Sequence, residues 1–250
     1  MKVVAIIQAR MSSSRLPGKV LKPILGKPII AWMMERLSRA QSLNHLILAI
    51  PDEPGEETLA AFAAGRGMSC YRGPRDDVLA RFEGAVEACA PDADIIVRVT
   101  SDCPLLDPVI VDHCVNFFIT NFPAFHYVAP QVPPTLPNGM SVEVFTRAAL
   151  NRAHKQAVSA YDREHVTPFM QKAEEGFSVG RIPFGLKAGH IRLCVDTHED
   201  YAMISALIEK LAPIKPDFNL ADILNLLEAH PEILALNSHV RQTTGAYGET

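Results

Sequence analysis

The chain reads as one α/β domain, a mostly parallel sheet with helices on both faces. Three observations lead there. Short apolar runs at residues 2–7, 45–50 and 94–99, β-branched in the first and the last, have the composition of strands buried on both sides. Helical-period stretches separate them, so strand, loop and helix alternate through the first half, the pattern of a parallel sheet with crossover helices. With 250 residues, 48% apolar and 21% charged, the chain can bury a core without disulfides or a structural metal.

After the first strand, residues 8–26 are rich in Ser, Pro, Gly and cations and read as a loop. Pro28 suits the first turn of a helix, in which Ile29, Trp32, Met33 and Leu37 share one face. A strand at 45–50, a helix at 56–64 and a short strand at 68–71 follow. Asp76 or Asp77 can cap a helix running to Cys89, and after the strand at 94–99 comes a helix over 108–120. Its stripe of Val111, Val115, Phe118 and Ile119 belongs to the core.

The second half is less regular. Residues 125–129, 141–145, 177–182 and 191–195 are expected strands, and 147–156, 162–172, 199–211 and 220–229 expected helices. Pro130, Pro133, Pro134 and Pro137 mark a stiff loop. No repeat or long linker divides the chain, so residues 1–250 are expected to form a single domain.

Composition narrows the function. No apolar run reaches the roughly 18 residues of a membrane span, and the run at 3–7 is too short for a secretion signal. Five scattered cysteines (70, 89, 103, 114 and 194) contain no C-x-x-C, which argues against zinc and for reduced thiols in a cytoplasmic protein. The net charge of −4 disfavours nucleic acid as a general partner. Yet Lys2, Arg10, Arg15, Lys19, Lys22 and Lys27 all precede the first acidic residue, Glu35. That cationic start suits a compact polyanion.

In an open parallel sheet, ligands bind beyond the carboxyl ends of the strands. The segment 8–19 lies at such an end and offers backbone N–H groups, serine hydroxyls and the cations Arg10, Arg15 and Lys19. It lacks G-x-x-x-x-G-K-[ST] and G-x-G-x-x-G, and a merely solvated basic loop is the alternative. Asp102 and Asp196 each follow an expected strand, so together they can hold Mg²⁺. Asp196-Thr197-His198-Glu199 also has the form of a helix N-terminus, and Asp102 could serve only a turn.

Gln-Ala-Arg-Met-Ser-Ser-Ser-Arg-Leu-Pro-Gly-Lys-Val-Leu, residues 8–21, closely resembles the nucleotide-binding loop of CMP-sugar synthetases. The nearest group is that of spore coat polysaccharide biosynthesis protein F, with the 3-deoxy-manno-octulosonate and acylneuraminate cytidylyltransferases more distant. Arg72-Gly73, residues 76–82, 98–108, 163–168 and 192–197 extend the resemblance along nearly the whole chain.

The resemblance implies a Rossmann-like nucleotidyltransferase fold and the transfer of a cytidylyl group from CTP to a sugar's anomeric hydroxyl. Gln8, Ala9, Arg10, Ser13, Arg15 and Lys19 would contact the nucleotide, with Arg10, Arg15 and Lys19 acting on the triphosphate. Asp102 and Asp196 would bind Mg²⁺. Asp77 is a further nucleotide candidate, a helix cap being its equally good alternative. Glu143, Glu164 and His165 are acceptor-site candidates, and His165 has a structural alternative.

A homodimer is also implied, with 124–190 as acceptor-site and dimerisation subregion. Relatives tend to carry Asp where this chain has Asn138 and Ser141, which bears on the acceptor's identity. A glycosyltransferase of the related nucleotide-sugar-binding fold and a non-catalytic nucleotide-binding relative are the competing functions.

Overall fold

The computed structural model describes residues 1–240. In chain order its first elements are β1 (Val3–Gln8), the short antiparallel arm β2 (Pro23–Ile24) and β3 (Lys27–Pro28), α1 (Ile29–Leu37), β4 (His45–Pro51) and α2 (Glu57–Ala64). Then come β5 (Ser69–Gly73), α3 (Val78–Cys89), β6 (Ile95–Thr100), α4 (Pro108–Thr120), β7 (Tyr127–Pro130), β8 (Glu143–Thr146), α5 (Arg147–Gln156) and α6 (Ala160–His165). β9 (Val179–Ile182), α7 (His198–Leu211), α8 (Leu220–Ala229) and α9 (Pro231–Ala235) complete the described chain.

One seven-stranded sheet, in the order β5-β4-β1-β6-β8-β7-β9, organises them. β5, β4, β1 and β6 are parallel, β8 is antiparallel to both its neighbours, and β7 and β9 are parallel to each other. Alternate strand residues face two separate cores, as the period of two demands. Ala5, Ile7, Val97 and Val99 pack with α1, α2, α4, α7 and α8, whereas Val4, Ile6, Ile47 and Ile96 pack with α3 and α5. Helices therefore cover both faces, as expected.

β1 is the turning point. The chain moves from it to β4 and β5 on one side and to β6 on the other, so the loops leaving β1 and β6 diverge and open a crevice at their carboxyl ends.

Three expectations change. Residues 191–195 join no strand: the segment is extended, and its backbone bonds go to Asn138 and to the Asp102 carbonyl. Gly139, at φ 101°, lies so close that a Cβ there would sit 2.7 Å from the Leu193 backbone. The expected helix over 162–172 breaks at Val166, where φ 72° and ψ −55° make a one-residue reversal with Thr167 N–H donating to the His165 carbonyl. Pro168 then opens a short 3₁₀ turn. The residues at 8–26 form the one-turn helix Lys19–Leu21 and the β2–β3 arm rather than loop alone. No helix among the described residues is long and apolar enough to cross a membrane.

Candidate active site

A cavity of about 260 Å³ occupies that crevice. Gln8, Ala9, Arg10, Ser13, Arg15 and Lys19 all line it, together with Asp102, Glu164, His165 and Asp196. Ten of the twelve expected site residues thus meet around one space, although they come from four distant parts of the chain.

The loop after β1 is held by its backbone and leaves Arg10 and Arg15 exposed at the cavity. Glu56, only 3% exposed, accepts the Met11 N–H with both carboxylate oxygens at 3.0 Å. Gly18 takes the left-handed conformation, φ 67°, and donates its N–H to the Met11 carbonyl. A side chain at this position would strain that turn. Leu16 and Val20 are buried anchors, whereas Arg10, Ser12, Ser14 and Arg15 are exposed.

The two aspartates converge on a single cation. Lys19 Nζ donates to Asp102 Oδ2 at 3.0 Å, to Asp196 Oδ1 at 2.7 Å and to the Val195 carbonyl at 2.8 Å. Burial alone would lower the Lys19 pKa, but Asp102 and Asp196 outweigh it and hold the ammonium above its ordinary value. For Asp196, burial pulls the carboxyl upward, and Lys19, Arg192 and Arg15 more than reverse this.

Asp196 is not the cap of α7. Thr197 is, in a capping box with Asp200, one residue later than the sequence pattern suggested. Asp196 is instead clamped from behind. Arg192, 4% exposed, donates to Asp196 Oδ2 at 2.6 Å and grips the fully buried Asp200 through two further bonds.

Asp77 and Glu143 lie outside the lining. Asp77 caps α3 through the Ala80 N–H and pairs with Arg163 at 2.7 Å, which ties α6 to α3 and so fixes where Glu164 and His165 stand. Glu143 lies beneath the cavity, 6% exposed. It accepts from Tyr127 Oη at 2.5 Å and Thr167 Oγ1 at 2.6 Å, and pairs with Arg98. Arg98 Nε also donates to Gln8 Oε1 at 3.0 Å. A guanidinium only donates, so the Gln8 carbonyl must face it and the Gln8 NH₂ is left for the cavity. Asn138 and Ser141 are not among the lining residues.

Sequence reasoning missed Arg75 and Arg81, which add two cations to the lining, and the clamp Arg192. Burial first, and then the nearby Arg10 cation, lower the Arg81 pKa to about 10, with Glu56, Asp77 and Asp76 only partly offsetting them. The Arg-x₃-Asp-x₃-Asp spacing of residues 192, 196 and 200 was the available signal for the clamp. All five cysteines are free, and burial pushes the Cys103 thiol up, away from a reactive thiolate.

Residues 4–228 match the sequence profile of the Cytidylyltransferase family. The chain belongs to that family. Spore coat polysaccharide biosynthesis protein SpsF of Bacillus subtilis is 30% identical over 92% of this chain and 95% of its own. The 3-deoxy-manno-octulosonate cytidylyltransferase of Geobacter metallireducens is 38% identical over 46% of this chain and 44% of its own. Among solved structures, a cytidylyltransferase from Leptospira borgpetersenii superposes with a TM-score of 0.87 at 31% identity, covering 94% of this chain and 97% of that one. Fold class and family are thus as the motifs implied.

Proposed function

We propose that this cytidylyltransferase moves a cytidylyl group from CTP to the anomeric hydroxyl of an acidic sugar, releasing pyrophosphate. The observation that carries the reading is one cavity with a cationic loop facing two convergent aspartates. Arg10 and Arg15 are exposed forks suited to phosphate oxygens, and Arg75 and Arg81 extend the positive lining. The acceptor oxygen attacks the α-phosphorus in line, the bond to the bridging oxygen breaks, and the hydroxyl proton leaves to solvent. Cationic side chains stabilise the charge that gathers on the leaving pyrophosphate.

The donor set fits magnesium. Asp102 and Asp196 offer two hard oxygens at one point, and among the described residues no group of three or more His, Cys, Asp or Glu side chains could form a closed cage. Mg²⁺ favours one or two carboxylates, its remaining positions going to water and phosphate. Bound there, it would supply positive charge beside the phosphates.

Glu164 and His165 are the acceptor-side groups of the lining, with the His165 ring held 4.5 Å from that of Tyr161. The 3-deoxy-manno-octulosonate enzyme among the relatives favours an acidic acceptor. The reading includes a cytoplasmic homodimer with its interface within 124–190, which light scattering tests. The function is tested by a pyrophosphate-release screen of four nucleoside triphosphates against a panel of acidic sugars with Mg²⁺. Release from CTP with one or a few acidic sugars is expected. Release of a nucleoside diphosphate from a sugar-nucleotide donor instead would establish a glycosyltransferase.

A further inference from the structure

We infer that Lys19 is a resident counter-cation of the aspartate pair, which must leave it for the nucleotide's phosphates before a divalent cation can bind. The inference rests on reading Asp102 and Asp196 as metal ligands. An ammonium has three donors, and here all three are used: Asp102 Oδ2, Asp196 Oδ1 and the Val195 carbonyl. None remains for a phosphate oxygen, although Lys19 lines the cavity with the loop cations.

The oxygens it holds are the ones a metal would need. Arg192 occupies Asp196 Oδ2 from behind, and Arg15 approaches the same atom at 3.3 Å, so Oδ1 is the oxygen that faces Asp102. A Mg²⁺ at its usual distance of about 2.1 Å from both carboxylates would share the space of the Lys19 ammonium. Two cations cannot hold the same pair of oxygens at once. The lysine stem is unbranched and flexible, and its backbone sits in the one-turn helix after Gly18, so the head group can swing while the loop stays in place.

The consequence is an energetic coupling. A divalent cation alone competes with a tethered ammonium and binds weakly, whereas a triphosphate offers Lys19 new acceptors and frees the aspartates. Metal and nucleotide therefore enter together. Lys19 also keeps two adjacent carboxylates from repelling each other in the free protein, so the pair is held ready.

The test is Mn²⁺ binding to the nucleotide-free full chain, followed by electron paramagnetic resonance. Lys19→Met should bind Mn²⁺ about 10-fold or more tightly than the wild type, a typical coupling between sites. The double variant Lys19→Met/Asp102→Asn should return to weak binding, which locates the gained site. Arg10→Met, which removes a cavity charge that touches neither aspartate, should change Mn²⁺ affinity by less than about 2-fold, a minor field effect. Equal or weaker binding by Lys19→Met overturns the inference, as does an equal gain in Arg10→Met. If Lys19→Met does not fold by circular dichroism, Lys19→Gln serves the same comparison. A wild type that binds Mn²⁺ in this pattern yet releases no pyrophosphate would sink the proposed reaction and leave the Lys19 assignment standing.

Discussion

The two walls of the cavity are held in opposite ways. The loop after β1 is fixed through backbone bonds to Glu56 and Met11, and its Arg10 and Arg15 side chains stay exposed. The opposite side, where α6 and the segment before α7 reach the lining, is backed by buried ion pairs, Arg98 with Glu143 and Arg192 with Asp200. Charges left open are available to a ligand, whereas charges already paired in the interior orient their neighbours. Removing an open charge should therefore cost binding, and removing a buried one should cost the fold.

The largest effect is expected at Glu143. Glu143→Gln leaves Arg98 without its buried partner and should lower unfolding free energy by about 3–5 kcal/mol in urea titration. The double variant Arg98→Met/Glu143→Gln should recover much of that loss. A single variant as stable as wild type would show that this wall is not held by its ion pair.

Next comes Asp196. Thr197 and Asp200 cap α7, so Asp196→Asn removes no capping bond from the helix. Its rate of pyrophosphate release should fall about 100-fold, the scale of one lost transition-state charge contact. The Asn amide oxygen can still accept from Arg192, so melting temperature should fall less than in Glu143→Gln. A full rate in limiting Mg²⁺ would remove Asp196 from the chemistry.

Arg15→Ala tests the open wall. CTP affinity measured calorimetrically should weaken by about 1.5–3 kcal/mol with the unfolding midpoint unchanged. Unchanged affinity would take Arg15 out of the nucleotide site.

The smallest effect is in acid. Burial alone would raise the Glu143 pKa, but Arg98, Thr167 and Tyr127 bring it below the ordinary 4.5. A carboxyl depressed in the folded state contributes stability that is fully present above about pH 4.5 and is lost as pH falls through the lower folded value. Melting temperature of the wild type should thus drop more steeply below pH 4.5 than that of Glu143→Gln. Parallel curves would assign the acid sensitivity to other groups, Asp196 among them, whose pKa is depressed as well.

How well the sequence could be read follows the same division. The strands at 45–50 and 94–99 lie within a residue of β4 and β6, because burial on both faces writes a short apolar run into each, Leu46 to Ile50 and Ile95 to Val97. That Arg10, Arg15 and Lys19 would gather at one place was legible because the signal is local: several positive charges follow one strand's carboxyl end within a dozen residues. The segment 191–195 misled for a related reason. Its apolar residues mark burial, but burial in an extended segment looks the same whether its backbone pairs with a sheet or with Asn138 and Asp102.

By itself the sequence determined the parallel half of the sheet, the cationic loop after its first strand and the place of Asp102 just beyond β6, all carried by patterns within a few residues. Only the tertiary structure decided which cation meets which carboxylate. Lys19 and Asp196 are 177 positions apart, and Arg98 finds Glu143 only because β6 and β8 are neighbours in the sheet. It also decided that Val166 bends left-handed, since its side chain is wholly buried and the turn places Thr167 on Glu143. Local patterns follow from the spacing of apolar groups along one segment. Ion pairing depends on distances between segments, and no spacing in the chain records those distances before the core has packed.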